Sequence, residues 1–258
     1  MSNVYSIFKR DLKGYFSSPI AYVVIGLFLI VTGIFFYLLL SSFLQYSYSY
    51  AVMMQRQGQV AVNVNLMMIR PFLLNMSVIV LFVIPMITMR SFSEEKKSGT
   101  MELLLTSPLT NWQIILGKFF ATYLLYFTMV GVTFLFMVFL LIWGKPAFWP
   151  IVMGYLGILL MGAALVALGN FISSLTENQI VAAVGTFGAT MLLWVIGFAG
   201  DFTGKILGEL FKYLSIVNHF EDFSKGVFDT GHFVYYLSLA FLMLFLTYQS
   251  IESAKWRG

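Results

Sequence analysis

Six stretches of this chain are apolar and almost free of charge over lengths that suit a bilayer: Ile20–Phe43, Pro71–Met89, Trp112–Ile142, Ile151–Ser173, Ile180–Ala199 and Phe233–Ile251. A helix needs about 20 such residues to cross roughly 30 Å of hydrocarbon. The runs are continuous rather than alternating, which excludes barrel strands. Composition agrees: 60% of residues are hydrophobic and 10% charged, against about 25% charged in soluble domains. A chain with this balance is neither disordered nor an ordinary soluble enzyme. It is expected to be an all-α integral membrane protein forming one domain over residues 1–258, with no room for a large soluble unit. The third run is longer than a bilayer requires, so it tilts or projects into water.

Several chemistries drop out early. Cysteine is absent, removing disulfides, thiolate metal sites and thiol nucleophiles. The only imidazoles are His219 and His232. The formal charge is +4, but the basic residues flank apolar runs, which points to membrane orientation rather than nucleic acid. Residues 1–18 lack the apolar centre and cleavage site of a signal peptide. An even number of spans puts both termini on one side. With that side cytoplasmic, the inside holds Lys9, Arg10, Lys13, Arg90, Lys96, Lys97, Lys118, Lys255 and Arg257; the outside holds Arg56, Arg70, Lys145, Lys205, Lys212 and Lys225. The positive-inside rule therefore places both termini in the cytoplasm; the chain is expected to be a multi-pass protein of the cell inner membrane.

The segments between runs differ in character. Ser2–Phe16, within residues 1–18, reads as an amphipathic helix, with Val4, Ile7, Phe8, Leu12 and Tyr15 on one face and Lys9, Arg10 and Lys13 on the other. Asp11 flanks the apolar face. Such a helix lies in the cytoplasmic interface; a plain positive flank for the first span is the simpler alternative. Residues 44–70 are polar and extend helices beyond the bilayer. The other long outer segment, residues 200–231, carries an apolar stripe of Ile206, Leu207, Leu210, Phe211 and Leu214 opposite Lys205, Glu209 and Lys212. A short helix dipping into the outer leaflet would bury that stripe.

Charge is concentrated in residues 90–111, between the second and third runs. Ser91 and Glu94 fit a capping box, Gly99 interrupts, Thr100 starts a second turn, and Thr110 caps the third run. Met101, Leu103, Leu104 and Leu105 form an apolar cluster that water alone would not hold. The segment is either a short helix parallel to the membrane, able to transmit a push, or a solvated loop tucked under the bilayer.

The run Glu94-Glu-Lys-Lys-Ser-Gly-Thr-Met-Glu-Leu-Leu-Leu, followed by Ser107-Pro108 and Gly117-Lys118, resembles the permeases of type-2 ABC exporters. Arg90-Ser-Phe-Ser before it is more similar to the gliding-motility permease branch, with the nitrous-oxide-reductase maturation permeases as another similar branch. The resemblance implies a coupling helix over residues 94–105 docked on a separate ATPase subunit, with Glu94, Glu95, Lys96, Lys97, Gly99, Thr100, Met101, Glu102, Leu103, Leu104 and Leu105 as contacts. It also implies a connecting helix at the N-terminus, a re-entrant helix over Ile206–Leu214 at the exit, and a second permease copy or a related permease. An auxiliary membrane or periplasmic subunit belongs to the same picture. ATP and Mg would be bound by the partner, because this chain has no phosphate-binding loop: Gly117-Lys118-Phe119 lacks both the earlier glycine and the hydroxyl residue.

No ionisable group lies near the middle of a run, which argues against proton coupling. Asn75, Thr88 and Asn170 are expected to make interhelical hydrogen bonds. Small residues of the fourth and fifth runs, among them Gly154, Gly157, Gly162, Gly169, the pair Ala163/Ala167 and the pair Gly185/Ala189, are expected to pack internally, a dimer seam being the alternative. Pro85 is expected to kink the second run, with or without a coupling role. An intramembrane enzyme would need a polar constellation at depth; His219 with Glu221 and Asp222, or His232 meeting Asp229, are its only candidates. A stand-alone channel or secondary transporter would need polar rings or repeat symmetry. The expectation is a permease subunit without catalytic, cofactor or metal residues of its own.

Overall fold

Each apolar run is a helix in the computed structural model, which describes residues 2–57, 63–106, 108–200 and 202–255. The spanning-length helices are α2 (Pro19–Gln57), α3 (Arg70–Thr88), α6 (Asn111–Trp143), α7 (Phe148–Leu175), α8 (Gln179–Ala199) and α11 (Thr230–Lys255). A leading helix α1 (Ser2–Ser17), two short helices α4 (Ser93–Lys97) and α5 (Thr100–Thr106) at the same end, and α9 (Lys205–Leu214) and α10 (Asn218–Ser224) at the opposite end complete the chain. The described residues contain no strand. A π-helical turn, Asn65–Ile69, leads into α3.

The first helix exceeds expectation: its 39 residues reach about 58 Å at 1.5 Å per residue, so the polar extension belongs mainly to α2. Pro85 does not interrupt α3, which continues to Thr88. Thr110 caps α6 as its sequence suggests. Its hydroxyl accepts from Gln113 N while its own N–H donates to Gln113 Oε1, a complete capping box.

Most of α7 and α3 is buried, whereas α2 and α8 present most of their surface outward. In a bilayer, apolar side chains gain little by leaving lipid, so helices associate through close packing and hydrogen bonds. The glycines of α7 serve that packing internally. A Cβ on Gly162 would lie 2.0 Å from the Tyr126 ring of α6, one on Gly169 2.2 Å from Thr88 Oγ1 of α3, and one on Gly157 2.6 Å from Phe223 of α10. The Tyr126 hydroxyl then donates to Ile158 O at 2.7 Å. Phe36 of α2 stacks on Phe136 of α6 with centroids 4.9 Å apart.

Two expected interhelical hydrogen bonds are not made. Thr88 Oγ1 donates to Ile84 O of its own helix, because its outer side is pressed against Gly169. Asn170 is fully buried, and neither its amide nitrogen nor its oxygen has a partner among the described residues.

Candidate functional site

Helices as short as α4 and α5 do not persist alone; the bundle fixes them. The start of α4 differs from the sequence expectation. Ser91 Oγ is buried without a hydrogen-bond partner, and the N-cap position is Phe92, which has no side-chain acceptor. The cap comes from α7. Ser173 Oγ accepts from Phe92 N and Ser93 N, each at 3.1 Å, and donates to Met89 O at 3.1 Å. One hydroxyl thus uses its donor and both acceptor positions. Glu94 turns back instead to Arg90, whose Nε and terminal nitrogen reach the two carboxylate oxygens at 2.8 and 2.9 Å. The Ser93 hydroxyl also donates to Met89 O.

Below this cap lies an interleaved set of charges. Lys118, in the second turn of α6, is only 3% exposed. Its Nζ donates to Ser91 O at 2.7 Å and to Asp11 Oδ2 at 3.2 Å, and sits 2.8 Å from Glu95 Oε2 as an ionic contact. Arg10 closes the set, bonding Asp11 Oδ1 at 2.7 Å and Glu95 Oε1 at 2.6 Å. Two cations and two carboxylates therefore join α1, α4 and α6. An unpaired lysine at this depth would be expensive; here each carboxylate bridges both cations.

Two further features hold α1 in place. A Cβ on Gly117 would meet Ile7 at 2.8 Å, so the missing side chain is what lets the Ile7 face of α1 lie against α6. The Tyr15 hydroxyl donates to Ile87 O at 3.2 Å and contacts Thr122 Oγ1 at 3.0 Å. Burial pushes that phenol up to about 12, keeping it protonated. A cavity of about 270 Å³ opens beside the network, lined by Gly14, Tyr15, Arg90 and Glu94 together with the four charged residues.

The expected contact residues divide by direction. Lys97, Gly99, Thr100, Glu102 and Leu103 point outward, Leu103 with 70% of its surface exposed. Gly99 has φ +70°, the left-handed region that glycine enters without strain, and this turns the chain from α4 to α5. Glu94 is exposed but paired with Arg90. Glu95 and Lys96 turn inward, Lys96 Nζ donating to Ser174 O at 2.5 Å. Met101 is buried and Leu104 packs partly against the core; the side chain of Leu105 lies outside the described residues. On α1, Lys9 and Lys13 are exposed, whereas Arg10 is committed to the network.

At the other end, the stripe of α9 faces away from the rest of the chain. Ile206, Leu207, Leu210 and Leu214 are exposed and Phe211 is half-buried. The helix touches the bundle through Gly208, where a Cβ would come within 2.6 Å of Gly200 O.

The sequence marked Lys118 only as a charge near the end of a span. Its isolation within an apolar helix was the available signal, since such a residue needs an anion brought by another helix. Nothing local to Ser173 indicates that it caps a helix 80 positions away.

The family described as ABC-2 family transporter protein matches residues 5–253. A protein of Escherichia coli strain K12, named "Probable multidrug ABC transporter permease YbhR", is 27% identical over 144 residues, covering 55% of this chain and 39% of that protein. The protein of the same name in Escherichia coli O157:H7 matches to the same extent. The chain thus spans about two-fifths of the length of these relatives. Because the family match runs from α1 through all six spanning-length helices, the chain belongs to the ABC-2 family of transporter proteins.

Proposed function

We propose that the chain is the membrane subunit of an ATP-driven exporter, with α4–α5 docked on a separate ATPase and both termini in the cytoplasm. The observation that carries this reading is the ion network of Arg10, Asp11, Glu95 and Lys118, which ties α1, α4 and α6 together while Lys97, Glu102 and Leu103 project from the same end. Short helices held this way move with the bundle instead of bending under load. The natural transmission rod is α3. It begins at Arg70, paired with Glu221 of α10 at 2.7 Å, and runs without a break to the turn that opens α4. Movement of α4–α5 would reach the α9–α10 segment along it.

In this reading α1 is the connecting helix at the cytoplasmic interface, and Lys9 and Lys13 face lipid phosphates. The stripe of α9 lies in the outer leaflet. ATP and its Mg²⁺ belong to the ATPase partner. A second copy, or a related permease, completes the pathway. The Arg90-Ser-Phe-Ser run supports the gliding-motility branch within the family.

The test is co-purification of the full chain with an ATPase from native membranes, followed by Glu102→Arg. The variant should fold and insert normally yet lose substrate-linked ATP turnover in the complex. Normal coupled turnover in the variant, or transport by the purified chain without an ATPase, refutes the assignment.

A further inference from the structure

The chain's two histidines meet at the end remote from α4–α5. His219, on α10, and His232, in the first turn of α11, face each other Nδ1 to Nδ1 at 2.6 Å. His219 Nε2 lies 2.7 Å from the carbonyl oxygen of Tyr213 on α9, and His232 Nε2 lies 3.0 Å from Asp222 Oδ2 on α10. The sequence pairing of His232 with Asp229 is not what forms; Asp229 Oδ1 accepts from Gly231 N instead, at 2.6 Å.

The protons can be counted from these contacts. A carbonyl only accepts, so His219 Nε2 carries hydrogen. The Asp222 carboxylate is held below the usual carboxylate range by hydrogen bonds from Lys225 and then His232. It also only accepts, so His232 Nε2 carries hydrogen too. The Nδ1–Nδ1 contact needs one more hydrogen, and only one. Three protons on four nitrogens amount to a single positive charge.

Its location follows from the surroundings. His219 is buried and stacks on the Tyr235 ring at 3.8 Å; desolvation, the largest influence, lowers its pKa. His232 is the partner that faces the carboxylate directly.

We propose that this pair is a proton-dependent latch: it joins α9, α10 and α11 while it holds one shared positive charge, and opens when it gains or loses a proton. With both rings neutral, one of the three contacts, Nδ1 to Nδ1, Nε2 to the Asp222 carboxylate or Nε2 to the Tyr213 carbonyl, sets one acceptor against another. With both rings charged, two N–H groups face each other across 2.6 Å. The latch therefore has two pH limits. Its acid limit is protonation of His219, below the ordinary histidine value of about 6.5 because that ring's pKa is depressed. Its alkaline limit is loss of the third proton that the pair shares.

Other charged groups complete the setting. Lys225 of the segment after α10 bonds Asp222 at 3.0 Å and Glu221 at 3.3 Å. Arg70 of α3 holds Glu221, and Asp229 favours the charged form of His219 from the turn before α11. The phenols of Tyr235 and Tyr236 are engaged on Leu214 O and Ile216 O as donors. None of these removes the need for the third proton.

With only two histidines in 258 residues, the test is direct. The full-length protein, labelled with ¹⁵N-histidine and placed in lipid nanodiscs, yields four ring-nitrogen signals that a His219→Gln variant assigns. At pH 7 the two rings should hold three protons between them, with both Nε2 atoms and one Nδ1 protonated. Amide protection over residues 213–224, taken relative to the intrinsic exchange rate at each pH, should be about tenfold greater inside the pH window than beyond either limit, the worth of one charge-assisted hydrogen bond. In Asp222→Asn the new amide donates to His232 Nε2, so the chain of bonds closes without charge. The pair should then hold only two protons at pH 7 and the alkaline limit should vanish. Two neutral rings in the wild-type protein at pH 7 overturn the proposal whether or not the variant folds. A third proton on the pair that persists in Asp222→Asn overturns it as well.

Discussion

Replacing Lys118 with methionine tests the ion network most severely. The lysine Nζ is 2.8 Å from Glu95 Oε2 and 3.2 Å from Asp11 Oδ2. At an effective dielectric constant of about 20, those contacts amount to about 6 and about 5 kcal/mol of gross attraction. Desolvating the ammonium group offsets several kcal/mol of that. Methionine fills the same space but leaves two carboxylates, 14% and 16% exposed, sharing Arg10 alone, which is 48% exposed and therefore screened. The expected net loss is about 3–5 kcal/mol, the cost of stranding a buried charge. For a chain of this size that corresponds to roughly 6–20 °C in unfolding temperature. Tryptophan fluorescence during heating in detergent would measure it. Lys118→Met combined with Glu95→Gln removes one stranded charge and should recover about 2 kcal/mol. A single variant within about 1 kcal/mol of wild type, or a double variant no better than the single, would show that the carboxylates are already satisfied without Lys118.

Three further outcomes follow from the packing. Ser173→Ala removes the acceptor shared by Phe92 N and Ser93 N, so it should cost about 1–2 kcal/mol and speed amide exchange in residues 92–97 while leaving α6 unchanged. Gly162→Ala sets a methyl group 2.0 Å from the Tyr126 ring position and should lower stability by about 1–3 kcal/mol, read as a lower unfolding temperature. Single cysteines at Lys97 and Lys225 should be labelled from opposite faces of the membrane by an impermeant thiol reagent; labelling from one face would refute the span count.

Much of the fold is legible in one dimension because its causes are local. The six apolar runs, the Thr110 cap and the break at Gly99 each depend on neighbours a few residues apart. Three expectations failed: the Ser91 cap lost to the distant Ser173, Thr88 kept its bond within its own helix, and Asn170 found no partner among the described residues. Of the expected docking residues, Glu95 and Lys96 make bonds within the chain, which depends on which side of α4 faces α6 and α7.

The sequence alone determined that this chain is a bundle of six spanning helices, and where charge interrupts it. A hydrocarbon solvent admits no other use for such uniform apolar runs. Only the tertiary structure decided which charges meet. Arg10 with Glu95, Lys118 with Asp11 and His219 with His232 are separated by 85, 107 and 13 positions. Pairing energy depends on ångströms between atoms, and helix approach, set by contacts such as Gly117 against Ile7, supplies that distance.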